Sequence, residues 1–197
     1  ALSFKKISII EQYVKKNKRK LYVLYNRNHY KIFKIIEKFL KKENFSLSAF
    51  IPERVQKTIK NIDKKLKGNI KYHLTSHWLN FFFSLKNLKN LKPVFKKNDI
   101  FFKKGLNEIL ISPNSKGYIT AIFKSKNHIL FLVSLEQLLI FKIKKNQVIF
   151  FKYYNEFTQT KFKPGVERIV DLIMKNKLNS NISKIKTLYN SIKDLNY

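Results

Sequence analysis

The chain has 197 residues, 42 Lys+Arg against 12 Asp+Glu, a formal net charge of +30 and no cysteine. At 44% apolar and 15% aromatic it carries enough to bury a core, which excludes wholesale disorder. The missing thiols exclude a disulfide scaffold and thiolate metal or redox chemistry.

Its longest stretch without Lys, Arg, Asp or Glu, Tyr72–Leu85, has 14 residues. A bilayer-crossing helix needs roughly 20, so no membrane span is expected. A +30 surface repels itself, and a polyanion relieves that repulsion; nucleic acid is the densest one available. The excess is spread through 1–68 and 69–154 and thins over 155–197. Only Arg19, Arg27, Arg54 and Arg168 are arginines, leaving 38 lysines. Lysine is a point charge, whereas arginine reads guanine edges bidentately, so phosphate contact and shape recognition are favoured over base reading. Lys, Asn, Ile, Phe and Tyr have A/T-rich codons, and their abundance points to an A/T-biased genome such as an organellar one.

Along the chain, residues 2–16 read as a first helix, with Phe4, Ile7, Ile10 and Val14 recurring at three and four. The basic run Lys15, Lys16, Lys18, Arg19, Lys20 follows, then Leu21–Tyr25 as a short strand and an Asn/Arg turn at Asn26–Asn28. Asn28 is the expected N-cap of a second helix whose apolar stripe is Ile32, Ile35, Ile36, Phe39 and Leu40. Asn44 is placed to stop it, and Phe45–Ile51 reads as a strand. A polar, lysine-rich link from Pro52 to Gly68, with room for a helical turn, is the expected domain boundary.

Beyond the link, Ile70–Leu74, Trp78–Leu85, Ile100–Phe102, Ile109–Ile111, Tyr118–Phe123, His128–Ser134 and Val148–Tyr154 are strand candidates. Leu135–Phe141 fits strand or helix alike. Two helices close the chain, one on Val166, Ile169, Val170 and Ile173, the other on Ile182, Ile185, Leu188 or Tyr189, Ile192 and Leu195. No repeat or targeting peptide is visible, and Ala1 fits removal of an initiator Met. The expected fold class is therefore α+β: two small α/β domains, 1–68 (α-β-α-β-β) and a mostly β 69–154, plus a helical extension over 155–197.

Catalytic chemistry is sparse. His73 and His77 stand at i, i+4, a spacing that on a helix can hold a metal, but no carboxylate lies nearby and the flanks read as strand. A surface or packing role is the preferred reading. Four glycines, at 68, 105, 117 and 165, cannot build a Gly-rich phosphate loop. Asp99 and Glu108 are the nearest carboxylates to an acid/base pair, and pairing with lysines is the simpler reading. Neither an enzyme nor a bound cofactor or metal is expected. Trp78, Phe81-Phe82-Phe83 and Tyr153-Tyr154 suit base stacking but suit a core better. In the Pro113–Gly117 turn, Ser112, Asn114, Ser115 and Lys116 offer hydroxyls, an amide and a charge that can bond phosphate and 2′-OH oxygens; a plain solvated turn looks the same.

The order of helix, basic loop, strand, helix and strand resembles the amino-terminal domain of the ribosomal protein S-eight family, the eighth protein of the bacterial-type small subunit. The resemblance rests on Lys18-Arg19-Lys20-Leu21-Tyr22-Val23, Lys31-Ile32-Phe33-Lys34-Ile35-Ile36 and Leu40-Lys41-Lys42-Glu43-Asn44-Phe45, with Asn44 where the family has glycine. In the second half one register sets Ile111-Ser112-Pro113 through Tyr118 on the family's strand entry, Phe131-Leu132-Val133-Ser134 on its serine-rich loop and Lys145–Ile149 on its closing strand. The other starts at Leu91-Lys92-Pro93 and sets Ile111–Gly117 on the loop. The first is preferred; in it Ser134 matches a loop serine, while Leu135 and Glu136 depart from the pattern and the family's double glycine is absent.

The resemblance covers about 1–154 and implies a structural constituent of the small ribosomal subunit. Its partners would be the central domain of small-subunit ribosomal RNA and neighbouring ribosomal proteins, with no small-molecule substrate. The location would be mitochondrial, alternatively a plastid-type organelle. The RNA-contacting set would be Lys15, Lys16, Lys18, Arg19, Lys20, Ser112, Asn114, Ser115, Lys116, Ser134, Lys144 and Lys145. Two alternatives stand beside it: another RNA-embedded organellar ribosomal protein of different fold, and a basic peripheral membrane protein using amphipathic helices.

Overall fold

The computed structural model describes residues 4–53, 55–63, 69–73, 75–85, 93–96, 99–113, 115–134, 136–156 and 164–194. Asn114, Gly68, Leu74, Leu91, Lys92, Leu135 and Leu195 lie outside these residues, as do the side chains of Phe4 and His73.

Seven helices and eight strands are formed among the described residues. Helix α1 (Phe4–Lys16) leads through an extended segment, residues 21–25, and a 3-10 turn (Asn26–His29) to α2 (Lys31–Lys42). Strand β1 (Ser46–Pro52) follows, then α3 (Val55–Lys60), α4 (Ile70–His73) and α5 (Thr75–Phe83). Seven strands come next: β2 (Pro93–Lys96), β3 (Asp99–Lys104), β4 (Asn107–Ser112), β5 (Thr120–Lys124), β6 (His128–Ser134), β7 (Gln137–Lys144) and β8 (Gln147–Asn155). Helices α6 (Val166–Met174) and α7 (Ile182–Ile192) close the chain.

All eight strands make one sheet in the order β2-β3-β4-β1-β5-β6-β7-β8. Strand β1 runs parallel to β4, with Ala49 opposite Ile109, and antiparallel to β5, with Ala49 opposite Ala121. The remaining pairs are antiparallel. The expected boundary at 68 therefore cuts through a single sheet, since β1 from one side of it is hydrogen-bonded between two strands from the other. Strand side chains alternate between faces, and one face is buried from β3 to the first half of β7, while the edge strand β8 is largely exposed. Phe102, Ile109, Ile51, Phe123, Leu132 and Leu138 are each 2% exposed or less.

The helices lie on that face. Ile7 of α1, Ile32, Phe33 and Ile36 of α2, Leu79 and Phe82 of α5, and Ile185 and Tyr189 of α7 join the sheet residues in one core. The last helix is thus part of the core, where an add-on to a ribosomal core was expected. Glu11 ties α1 to α7: its carboxylate accepts from Lys15 and Lys186 Nζ, each at 2.9 Å, and from Ser183 Oγ at 2.9 Å. The start of α2 is capped from far away in sequence. Glu156, just past β8, accepts the Lys31 and Ile32 N–H groups with its two oxygens, each at 3.0 Å, filling two of the donors a helix start leaves open.

Three local expectations differ from the structure. Trp78–Leu85 and the Ile70 segment are helical, because Thr75, Leu79 and Phe82 recur at helical spacing and Ser76 and Phe81 are buried as well. A helix apolar on nearly all sides belongs inside a core and loses the periodicity that would separate it from a strand. Leu21–Tyr25 is extended but joins no ladder; side chains from the α7 end bond its backbone instead. Asn28 lies within the 3-10 turn, so Tyr30 holds the N-cap position.

Candidate functional site

The helical side of the molecule contains a cavity of about 600 Å³ between the 22–25 segment, the 3-10 turn, α2, α5 and α7. Aromatic rings from Tyr22, Tyr25, Phe33 and Phe83 form part of its wall. Polar groups come from the turn (Asn28, His29), from α5 and its end (Asn80, Ser84) and from α7 (Asn181, Lys184, Thr187), with Lys34 of α2 beside them. Apolar faces with a few convergent amides, hydroxyls and charges are the usual make-up of a small-molecule site.

Each wall is fixed by its own bonds. Asn181 clamps the backbone of Val23, and Ser180 Oγ donates to the Leu21 carbonyl at 2.9 Å. Asn28 Nδ2 donates to Ser84 Oγ at 2.9 Å, and Ser84 Oγ donates to the Asn80 carbonyl at 2.6 Å. Asn28 Oδ1 is buried with no partner among the described residues, which leaves an acceptor in the cavity wall. Behind the turn, the Arg27 guanidinium lies 3.6 Å over the Trp78 ring. Burial lowers the Arg27 pKa to about 10 against the opposing pull of Tyr30 and Glu53, and Nη1 has no partner among the described residues. Glu53, 2% exposed, accepts from Thr75 Oγ1 at 2.9 Å.

Tyr25 OH donates to Ser76 Oγ at 3.1 Å, and its ring meets His77 edge-on at 4.9 Å. Burial, reinforced by Tyr189, holds the Tyr25 phenol far above the usual range, so it stays protonated and serves as wall rather than base. His29 is the imidazole that lines the cavity. Burial first, then the charges of Arg168 and Lys34, push its pKa down, so at neutral pH it is an uncharged donor or acceptor. Helix α6 seats against the same turn: Gly165, at φ +80°, abuts the Asn26 carbonyl, and Asn26 Nδ2 donates to the Pro164 carbonyl at 3.0 Å.

A second cluster has the right residue types for a nucleophilic triad in the wrong order. Ser125 Oγ donates to Glu43 Oε2 at 2.6 Å, and His128 Nδ1 lies 2.6 Å from Glu43 Oε1. The carboxylate stands between hydroxyl and imidazole, so the Ser125 hydroxyl meets the carboxylate and not the His128 ring that a triad would set against it. Burial raises the Glu43 pKa, but the bonds from Ser125 and His128 outweigh it and leave it lowered. The cluster pins the β5–β6 turn to the end of α2. Among the described residues no group of three or more His, Cys, Asp or Glu is placed to hold a metal, and no helix is long and apolar enough to cross a membrane.

The residues expected to contact RNA do not converge. Lys15 and Lys16 end α1, and Lys18, Arg19 and Lys20 lie exposed beyond it. Ser112 Oγ donates to Asp99 at 2.7 Å, Ser115 Oγ donates to Ser112 Oγ, and Lys116 is exposed next to them. Ser134 precedes β7, whereas Lys144 and Lys145 stand at its far end, about 25 Å away at 3.3 Å per residue. None of the described members of the set lines the cavity. Sequence reasoning passed over Asn80, Ser84, Asn181, Lys184 and Thr187. Its one usable signal, the repeated Asn clusters at Asn26–Asn28 and Asn179–Asn181, reads as loop punctuation when no pairing is known.

No protein-family model and no curated protein matches the sequence. Solved structures do match the fold. A Gfo/Idh/MocA family oxidoreductase from Vibrio cholerae aligns with 97% of this chain and 64% of its own at 13% identity and a TM-score of 0.57. The UDP-N-acetylglucosamine 3-dehydrogenase of Acidithiobacillus ferrooxidans aligns with 98% of this chain and 66% of its own at 9% identity and 0.64. A 3-ketoreductase from Actinomadura kijaniata, solved with TDP-benzene and NADP, aligns over 98% and 65% at 9% identity and 0.64. The chain spans just under two thirds of the length of each of these. These neighbours overturn the S-eight resemblance and what it carried: the ribosomal role, the ribosomal RNA and protein partners, the absence of a small-molecule substrate and the expectation of a non-enzyme. The resemblance rested on element order in the first 51 residues, where Leu21–Tyr25 is no strand and β1 enters the middle of an eight-stranded sheet. At such low identity the likeness is one of fold: a mixed α/β unit resembling a domain of these oxidoreductases.

Proposed function

We propose that this chain forms the substrate-binding unit of an oxidoreductase acting on a hydroxylated, sugar-type small molecule. The observation that carries the reading is the cavity, where aromatic faces stand beside Asn28, Asn80, Ser84, Asn181 and Thr187. Sugars present apolar ring faces and many hydroxyls, and they need that mixture. His29, uncharged at neutral pH, holds a substrate hydroxyl, and Lys184 favours a ligand carrying an anionic group, the Lys34 ammonium being paired with Glu37 at 2.7 Å in the same wall. Two of the fold neighbours support this by their own names: one oxidises a UDP-sugar, and the other is a ketoreductase solved with a TDP-derivative.

The NADP of that ketoreductase finds no seat among the described residues. A dinucleotide pyrophosphate docks beyond the carboxyl ends of parallel strands, on free N–H groups opening a helix. At the one parallel pair among the described residues, the Glu53 N–H donates to the Ser112 carbonyl at 2.9 Å and the Val55 N–H to the Pro113 carbonyl at 3.0 Å, with the Glu53 carboxylate buried beside them. No hydride step is derived from these residues. Their part is to bind and orient.

Calorimetric titration with UDP-N-acetylglucosamine, a TDP-hexose and free hexose tests the reading. Binding by one of these, weakened about fivefold by Asn80→Ala, is the expected result, the worth of about one hydrogen bond. No binding at about 10 mM, where even affinities weaker than 1 mM register, would overturn it.

A further inference from the structure

We propose that strand β8 takes up a ninth strand from another protein, an extended segment in which carboxylates alternate with apolar side chains. An edge strand leaves a row of N–H and C=O groups open, and proteins ordinarily blunt it by shortness, charge, proline or a cover. The opposite edge follows that rule, since β2 has four residues. Strand β8 has nine, with one lysine and no proline. Its apolar side chains stand in solvent: Val148 and Phe150 are each 57% exposed and Phe151 55%.

The ladder fixes which backbone groups are open. Antiparallel pairs alternate between residues that bond each other and residues that point apart. The Ile143 N–H donates to the Asn127 carbonyl at 2.7 Å, on the β6 side, so its partner Val148 turns its backbone to the free edge. At the other end the Glu156 N–H donates to the Glu136 carbonyl at 2.7 Å. The alternation then sets Tyr154 towards β7 and turns the backbone of Tyr153 outward. A bulge between Ile140 and Phe141 separates these two stretches. The Lys145-Asn146 turn, with both residues at positive φ, holds the hairpin in register.

Side chains select the partner. On the hairpin's outer face Phe141 and Ile143 stand opposite Phe150 and Val148. On the other face Lys142 stands opposite Ile149 and Lys152 opposite Ile140. Both lysines are exposed, and neither enters an ion pair among the described residues; Lys152 Nζ lies 4.8 Å over the Tyr154 ring. From Gln137 to Asn155 the sequence holds four lysines and no carboxylate. An added strand therefore meets apolar neighbours on one face and ammonium groups on the other, and opposite charges across adjacent strands attract. A segment alternating Glu with Val matches both faces, whereas β8 of a second copy would set lysines against lysines. In strand addition the backbone bonds give affinity and alternate side chains give specificity. No residue of β8 lines the cavity, so this site is independent of the substrate reading.

Fluorescence anisotropy on the full chain decides the matter, with a fluorescein-labelled peptide of about eight residues, the length of a strand, alternating Glu and Val. Binding at about 10 to 100 µM in about 0.15 M salt is expected. Val148→Pro deletes an open N–H while leaving the β7 ladder whole, and it should weaken binding at least about tenfold with far-ultraviolet dichroism unchanged. Lys142→Ala combined with Lys152→Ala should weaken it about as much. The same peptide fully N-methylated keeps its charge but cannot bond the edge; it should not bind, and it needs no change to the chain. No binding of the parent peptide at about 1 mM overturns the proposal. So does equal binding by the N-methylated peptide, or by one with Glu and Val in separate blocks, which would reduce the effect to attraction by lysines. A dimer of the chain alone that Val148→Pro dissolves, read by sedimentation equilibrium, overturns it too and gives the edge to a second copy.

Discussion

Asn181 pairs with Val23 as a neighbouring strand would: its Oδ1 accepts the Val23 N–H at 2.9 Å and its Nδ2 donates to the Val23 carbonyl at 2.8 Å. One amide side chain thereby satisfies both polar groups of a residue in a segment rich in β-formers that joins no sheet. The pair also joins two walls of the cavity, since both residues line it. Fold and site therefore share one contact 158 residues long in sequence.

Asn181→Asp tests that contact. A carboxylate still accepts from the Val23 N–H, but it cannot donate, and it sets a negative oxygen against the Val23 carbonyl. A part-buried polar group left facing the wrong partner costs about 1–3 kcal/mol. Urea denaturation should show the midpoint lowered with an unchanged slope, the sign of lost stability without a change in the surface exposed. A midpoint equal to the parent's would mean that Val23 has another partner.

Much of the secondary structure was legible from spacing alone. Ile32, Ile36 and Phe39 mark α2, Ile182, Ile185 and Ile192 mark α7, and the runs around Ile109, Phe123 and Leu130 mark strands. Thr75–Phe83 was not, because burial on most sides erases the helical period. The insertion of β1 between β4 and β5 was hidden too, since it is a pairing across about 60 residues that no local pattern encodes. The cavity draws on Tyr22–His29, Phe33–Glu37, Asn80–Ser84 and Leu178–Leu188, four stretches that meet only after the sheet order is set. The lysine excess was the loudest signal and the one that misled. Exposed lysines, with Lys124, Lys126, Lys144 and Lys145 among them, occupy solvated faces and turns that place no demand on a polyanion.

Gly165 and Gly117 make a controlled comparison. Both have positive φ, at +80° and +124°, so alanine is strained at either. At Gly165 an added Cβ would also stand 2.3 Å from the Asn26 carbonyl oxygen, whereas at Gly117 the nearest atom is Pro52 Cγ at 4.0 Å. Gly165→Ala should therefore cost about 2 kcal/mol or more and Gly117→Ala about 1, the backbone share alone. Because the Gly165 clash pushes α6 off the turn carrying His29, that variant should also relieve part of the downward pull on the imidazole from Arg168. Thermal denaturation ranks the two variants, and an NMR titration of His29 reads the second effect; equal losses of stability would show that packing against Asn26 contributes nothing.

Glu11 gives the chain an acid-side stability term. Its carboxyl is pulled from the ordinary 4.5 to about 2, chiefly by the bond from Lys186, then by Lys15 and Ser183. A folded-state pKa below the unfolded one stabilises the fold fully above pH 4.5 and loses that contribution as pH falls from 4.5 towards 2. Each unit is worth about 1.4 kcal/mol. The Lys15 and Lys186 side chains are 67% and 40% exposed, so water screens the pair and about 1–2 kcal/mol is expected. Glu11→Gln should thus be less stable than the parent at pH 7 by that amount, with the gap closing as both proteins are titrated below pH 3. Denaturant melts at pH 7, 4 and 2.5 measure it, and a gap of the same size at all three would place the role of Glu11 in packing rather than in its charge.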